Sequence, residues 1–338
     1  MLFRCFAAFA AAAKIASAQQ ACTNCTNESP EPIELVPAPW TLKGDMYGSF
    51  LLPGAGVPLF ANSDSLPKKA FPPLERQYPE AIAGEYTGRL GMLQVLRYTE
   101  TPVGPYDELL IIPGFFGFED NGKRQEMTRV SRIYVSQKYT AWNGRKNWNI
   151  PKHLARFDWT YSDDGSATVK VYPFDTTGDP TESSPSEKPF FQMTFSPLLP
   201  QNLLSNTLTS LLPGLGLNKG LNLNPTIPFT TDLYALLGIN ATLYQPPVPA
   251  ANDSFGAITD EGPNWKAVVP GQYSTNSTLG LVNMDQTGGD GEETGVNAVG
   301  DEFFPNFWPG LPKQNVGIRL RDATITFGEG IELPNIVV

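Results

Sequence analysis

Histidine is nearly missing from this chain of 338 residues, which has one, His153, and cysteine is scarce at three. With a single imidazole and no cluster of Cys, Asp or Glu at ligand spacing, no structural or catalytic metal is expected. No Ser-His-acid constellation has spacing support, and neither a P-loop nor a dinucleotide glycine fingerprint occurs, so no cofactor is expected. Basic residues are in deficit as well, 24 Lys and Arg against 34 Asp and Glu. Removing Arg4 and Lys14 with a leader peptide leaves 22 against 34, a net charge of −12. That balance speaks against nucleic acid or an anionic membrane surface as partner.

Long helical stretches are lacking too, because 31 glycines and 32 prolines interrupt the chain and its apolar runs are short and turn-bounded. Strands are predicted over 47–52, 92–98, 106–112, 128–135, 154–161, 167–172, 190–195 and 317–327. In the fifth of these, Ala155, Phe157, Trp159 and Tyr161 share one face while Arg156, Asp158 and Thr160 share the other. Asp163-Asp164-Gly165 then turns the chain into the sixth, forming a hairpin. A meander of this kind closes into a barrel or packs as a sandwich. The expected fold class is mainly β, a single antiparallel β-barrel-like domain, with the strand near 317–327 completing the sheet begun before residue 135.

Residues 1–18 read as a signal peptide, with Arg4 at a basic start, an alanine-rich core and Ala16-Ser17-Ala18 before the cut. A polar tail follows over 19–38, and the barrel domain over 39–338. Five N-x-Ser/Thr sequons, at Asn24, Asn27, Asn240, Asn252 and Asn276, point to a secreted or secretory-pathway glycoprotein with no membrane anchor after cleavage. Cys22 and Cys25, flanked by two of these sequons, read as a small local disulfide rather than a redox motif. Between 197 and 312, leucine-proline-glycine runs and an acidic glycine-rich stretch predict a long, mostly irregular insertion, with short helices near 202–212 and 231–237. Either a lid over the barrel mouth or surface decoration fits it.

The stretch from Trp142 to Phe157 is the most site-like. It combines a Gly-Arg turn at Gly144-Arg145, Pro151, Lys152 and His153 before the chain enters a strand. A lysine becomes a nucleophile when neutral, which desolvation or a nearby cation favours, and it then attacks a ketone to form a Schiff base that withdraws electrons from the adjacent carbon. Gly144-Arg145 followed by Pro151-Lys152-x-Leu154 resembles the lysine segment of the acetoacetate decarboxylase-like family, and the resemblance extends from about Pro39-Trp40 through Tyr172. It implies that Lys152 is the Schiff-base nucleophile. Gly104-x-Tyr106-x-Glu108 resembles the family's glutamate segment and makes Glu108 the facing carboxylate. Arg145 is the candidate cation beside Lys152, and Tyr106, Trp148 and His153 are the substrate-binding candidates. His153 is also open to a structural reading, since it points to the face opposite its neighbour.

The sequence departs from the family pattern at four places. Asp45 stands where the family's decarboxylases hold the substrate carboxylate with an arginine, and a second carboxylate is replaced near Leu93 or Gln94. Lys146 stands for the glutamate after Gly-Arg, and His153 for a second lysine. The resemblance therefore implies a Schiff-base lyase acting on an apolar keto acid or polyketide-like carbonyl compound, by decarboxylation or by aldol, dehydration or cyclisation chemistry. Its partner is a small carbonyl molecule, with homo-oligomerisation left open. The alternative is a non-catalytic barrel that binds an apolar small molecule. Lys152 is expected in an apolar cavity inside the barrel, in contact with Glu108.

Overall fold

The computed structural model describes residues 30, 32–51, 66–175, 184–198, 229–230, 241–250, 264–284 and 315–337. The leader, Cys22 and Cys25, four of the five sequons and both short helices expected after 200 lie outside them. In chain order the strands begin with β1 (Trp40–Leu51), β2 (Glu85–Gly88), β3 (Gly91–Glu100), β4 (Tyr106–Ile112), β5 (Phe115–Asp120) and β6 (Lys123–Thr128). Next come β7 (Arg132–Val135), helix α1 (Lys138–Trp148), β8 (Lys152–Tyr161), β9 (Ala167–Pro173) and β10 (Phe191–Pro197). The rest are β11 (Phe229–Thr230), β12 (Leu243–Gln245), β13 (Trp265–Val268), β14 (Pro270–Ser274), β15 (Asn276–Asn283), β16 (Val316–Phe327), β17 (Ile331–Leu333) and β18 (Ile336–Val337).

The protein is mainly β and forms a single domain. Nine strands close a hydrogen-bonded ring in the order β1-β3-β4-β7-β8-β9-β10-β15-β16, and β16 pairs back to β1. Closure removes the edges that an open sheet would expose. The strand expected near 317–327 is thus the one that completes the sheet, with Trp40 opposite Phe327. Ring neighbours are antiparallel except β7 and β8, which run parallel. A parallel pair needs a crossover, and α1 supplies it. A second sheet, β17-β13-β12-β6-β5-β18 with β2 beside β5, covers part of the ring from outside.

Two expectations change here. The single strand predicted over 128–135 is two, because the chain leaves the second sheet at Thr128 and enters the ring at Arg132. The insertion after 197 is less irregular than predicted: its described parts include β15 of the ring and β12 and β13 of the second sheet.

Alternation sorts the ring's side chains into two cores. One gathers Tyr47, Val95, Leu109, Val169, Phe191 and Phe195. Tyr47 touches Trp159 and Phe195 across the ring, at centroid distances of 5.5 and 5.6 Å, so this core fills the lumen. The other gathers Trp40, Leu96, Leu110, Ile133 and Leu154 with Trp148 of α1 and Leu243 and Val268 of the second sheet. It lies between the ring wall and its outer cover.

Candidate active site

Lys152 opens β8 and shares the side of Leu154, the outer core, while Ala155 belongs to the lumen. The cavity it lines is therefore in the layer between ring and cover, which corrects the expected position inside the barrel. The reason is the strand's period of two: the face of Ala155, Phe157, Trp159 and Tyr161 takes the lumen and leaves Lys152 the other side.

Three elements place the lysine. Helix α1 ends at Asn149, whose left-handed φ of 56° closes the last turn with its N–H on the carbonyls of Arg145 and Gly144. Its side-chain amide donates to the Asn264 carbonyl at 2.9 Å, and Pro151 then prevents the helix from resuming. The Gly-Arg turn expected from the sequence is in fact part of this helix. Thr140 and Gly144, one turn apart, lie on the face that covers the lysine. A Cβ on Gly144 would stand 2.6 Å from Lys152 Cδ and 2.8 Å from Cε, so the glycine is what lets the stem pass.

The Lys152 ammonium sits 2.9 Å from Glu108 Oε2, and the two side chains are nearly fully enclosed. It also donates to Thr140 Oγ1 at 3.0 Å and to Tyr106 Oη at 3.4 Å. Glu108 comes from β4, separated from β8 by β7, a gap of about 10 Å that a lysine and a glutamate together bridge. Tyr98 Oη donates to the second oxygen of Glu108 at 3.3 Å. Burial, and after it the Glu108 carboxylate, pushes the phenols of Tyr98 and Tyr106 well above their ordinary value, so both remain protonated. Tyr98 and Thr140 escape sequence reading because each is a single hydroxyl outside any motif.

The pair lies at the wall of a cavity of about 70 Å³, room for several waters or a narrow ligand. Its lining is mostly apolar, including Met92, Leu110, Ile133, Leu243 and Phe327. Gln94 lines it too, whereas Leu93 lies in the lumen core.

Arg145 does not stand beside the ammonium. Its guanidinium donates to Glu75 at 2.9 Å and to the carbonyls of Pro249 and Lys152 at 3.0 and 3.4 Å. Residues adjacent on a helix point about 100° apart, so Gly144 against the stem sends Arg145 elsewhere. Its contact with the site is to the Lys152 backbone. His153 is likewise outside the cavity, its Nε2 at 2.7 Å from Glu75 and its Nδ1 at 3.0 Å from Asp175. Both contacts hold the ring between two carboxylates behind the cavity, a structural arrangement. Trp148 donates to the Gly328 carbonyl at 2.8 Å and backs the cavity-lining Phe327 with ring centroids 5.4 Å apart. Of the substrate-binding candidates only Tyr106 touches Lys152. Asp45 accepts from Arg319 at 3.1 Å and does not line the cavity. Lys146 lies over the Trp142 ring at 5.8 Å. Asn276, the one described sequon, begins β15 half-buried, in a strand rather than a turn.

Glu75, which the sequence reading missed, ties the layer behind the lysine together. Burial alone would raise its pKa, but His153 and Arg145 outweigh burial and bring it from the ordinary 4.5 down to about 2. A depressed carboxylate stabilises the fold above its unfolded value and loses that contribution as pH falls through 4.5 towards 2, here on the order of 3 kcal/mol. Urea unfolding at pH 5 and pH 3 is expected to show this loss in the wild type and a flatter response in Glu75→Gln. Equal slopes in both would show that another carboxylate sets the acid limb.

No family model matches the chain. Among curated proteins it is similar to Protein NEOXANTHIN-DEFICIENT 1 from Oryza sativa subsp. japonica, 32% identical over 95 residues, which make up 28% of this chain and 29% of that protein. The matched segment is thus less than a third of that relative's length. Among solved structures it is similar to acetoacetate decarboxylase from Legionella pneumophila, at 9% identity and a TM-score of 0.44, covering 89% of this chain and 88% of that one. A second acetoacetate decarboxylase gives 12% and 0.43, with 89% and 91% covered. The enduracididine biosynthesis enzyme MppR, complexed with the condensation product of pyruvate and imidazole 4-carboxaldehyde, gives 12% and 0.40 with the same coverage. The two acetoacetate decarboxylases belong to the family that the lysine segment resembles.

Proposed function

We propose that the protein is a Schiff-base-forming lyase acting on an apolar carbonyl compound, with Lys152 as nucleophile and Glu108 as the proton-transfer group. The observation that carries this reading is the enclosed Lys152–Glu108 pair at 2.9 Å on the wall of an apolar cavity. Moving one proton from the ammonium to the carboxylate leaves a neutral amine and a neutral acid, so the pair stays uncharged overall whichever group holds it. In an apolar enclosure this keeps the nucleophilic form within reach, because neither arrangement buries a net charge.

The chemistry balances on these two groups. The Lys152 nitrogen forms a bond to the carbonyl carbon, two of the three ammonium protons leave with the carbonyl oxygen as water, and the third stays on the iminium. Glu108 carries the first proton across as general base and then general acid. Tyr98 and Thr140 orient the carboxylate and the amine by the hydrogen bonds described above.

A second reading, a non-catalytic barrel with a structural ion pair, draws on the fact that the ammonium already has Glu108, Thr140 and Tyr106 as partners. Borohydride trapping across a panel of ketones, aldehydes and 2- and 3-keto acids, with peptide mass mapping, separates the two. A reduced adduct confined to Lys152 and lost in Lys152→Arg is expected. An empty panel would leave the binding reading in possession of the fold.

A further inference from the structure

The substrate class of this site can be narrowed by counting charge, an inference that rests on the Schiff-base reading. Among the described residues lining the cavity, Lys152 is the one cation and Glu108 the one anion. The iminium keeps the lysine's single positive charge, so the covalent complex of an uncharged carbonyl compound remains balanced against Glu108. A substrate carboxylate would add a negative charge with nothing to pair it. Arg145 is engaged by Glu75 and two carbonyls, and Arg319 by Asp45. An enclosed unpaired carboxylate is among the least favourable things an apolar cavity can hold.

The cavity does carry neutral polar groups. Gln94 of β3 and Gln272 of β14 face each other across it: Gln272 Nε2 donates to Gln94 Oε1 at 3.0 Å, and Gln94 Nε2 returns a contact of 3.5 Å to Gln272 Oε1. Gln94 Nε2 also approaches Met92 Sδ at 3.0 Å. The longer amide contact is at the outer limit of a hydrogen bond, so a ligand oxygen that takes the Gln94 N–H gives up little. Each glutamine carbonyl has two lone pairs and can accept from a ligand hydroxyl or amide as well. Thr128, the other neutral polar residue of the lining, already donates to the Thr242 carbonyl at 3.2 Å. Gln94 stands two residues along β3 from Leu96, the residue opposite Glu108, which puts it about 8 Å from the reacting pair.

We propose that the site takes an uncharged ketone or aldehyde carrying a hydroxyl, carbonyl or amide group several bonds from the reacting carbon, that this group docks on the Gln94–Gln272 pair, and that carboxylates are excluded. The glutamine pair then decides specificity, while Lys152 and Glu108 carry the bond changes. The reaction served is one on a neutral skeleton, and carbon dioxide is not its leaving group.

The test uses two probes of nearly identical shape, 5-oxohexanamide and 5-oxohexanoate, which differ in the charge at one end. Each is trapped on the full-length protein with borohydride, and the Lys152 adduct is followed by mass spectrometry against free Nα-acetyl-lysine as the reactivity reference. The amide is expected to be trapped about tenfold faster or more, the penalty for leaving a buried charge unpaired. Gln94→Met should shrink that ratio, and Gln272→Arg, which introduces a cation, should bring the acid to parity or beyond, with folding checked by circular dichroism. Equal trapping of both probes by the wild type, or a ratio unmoved by both variants, overturns the subsite and leaves the Schiff-base reading standing. No adduct with either probe, nor with any member of the wider panel, overturns both.

Discussion

Lys152→Met, with Glu108 left in place, is expected to lower the stability of the protein by about 3–5 kcal/mol, because it strands a carboxylate inside an apolar layer. Glu108→Leu is expected to do comparable damage by stranding the ammonium. Lys152→Met combined with Glu108→Leu should recover most of the loss, since the neighbouring Leu110, Ile133 and Ile150 can accommodate apolar replacements. Urea unfolding of the four proteins gives the coupling directly. A coupling below about 1 kcal/mol would mean that the pair behaves like an exposed surface bridge, contrary to its burial.

Gly144→Ala separates stability from chemistry. Alanine favours a helix over glycine by about 1 kcal/mol, which offsets part of the crowding against the lysine stem. The crowding falls on Cδ and Cε, two bonds and one bond from the reacting nitrogen, so the amine is pushed off its position beside Glu108. A misplacement of about 1 Å at a reacting group costs on the order of 10²-fold in rate. Trapping on Lys152 is therefore expected to fall about a hundredfold while the urea midpoint moves little. A trapping rate unchanged by the substitution would show that the stem has slack and that the glycine serves the helix alone.

Much of the ring was legible because half-buried strands announce themselves by alternation: β4 and the β8–β9 hairpin stand almost where the pattern of apolar and polar residues puts them. Extended back to Lys152, where β8 begins, the same alternation puts the lysine on the face opposite Ala155, although only the closed ring shows which face is the lumen. Helix α1 was not legible. Its buried residues include Thr140, Asn143, Gly144 and Arg145, so the inward side is polar and no apolar stripe of period 3.6 marks it. Its residues are chosen for what they hold, the Lys152 amine and Glu75, rather than for burial of hydrocarbon. Arg145 was misplaced for a related reason, since nearness in sequence to Lys152 says nothing of the side of the helix from which a guanidinium leaves. Gln272 and Phe327 reach the cavity from more than a hundred residues away, and no local pattern links them to it.

Closure of the ring by β1 and β16 also sets an order of assembly. Glu108, Thr140 and Lys152 belong to one contiguous stretch and can meet once β4, β7, α1 and β8 have been synthesised. The other walls of the cavity, Leu243, Pro270, Gln272 and Phe327, emerge later, and Trp40 waits through most of the chain for Phe327 before the pairing of first and last ring strands is complete. Contacts of such long sequence separation form late and slowly. On a ribosome-bound chain the lysine is thus hydrated, and it acquires its dry surroundings only when the distant C-terminal strand docks.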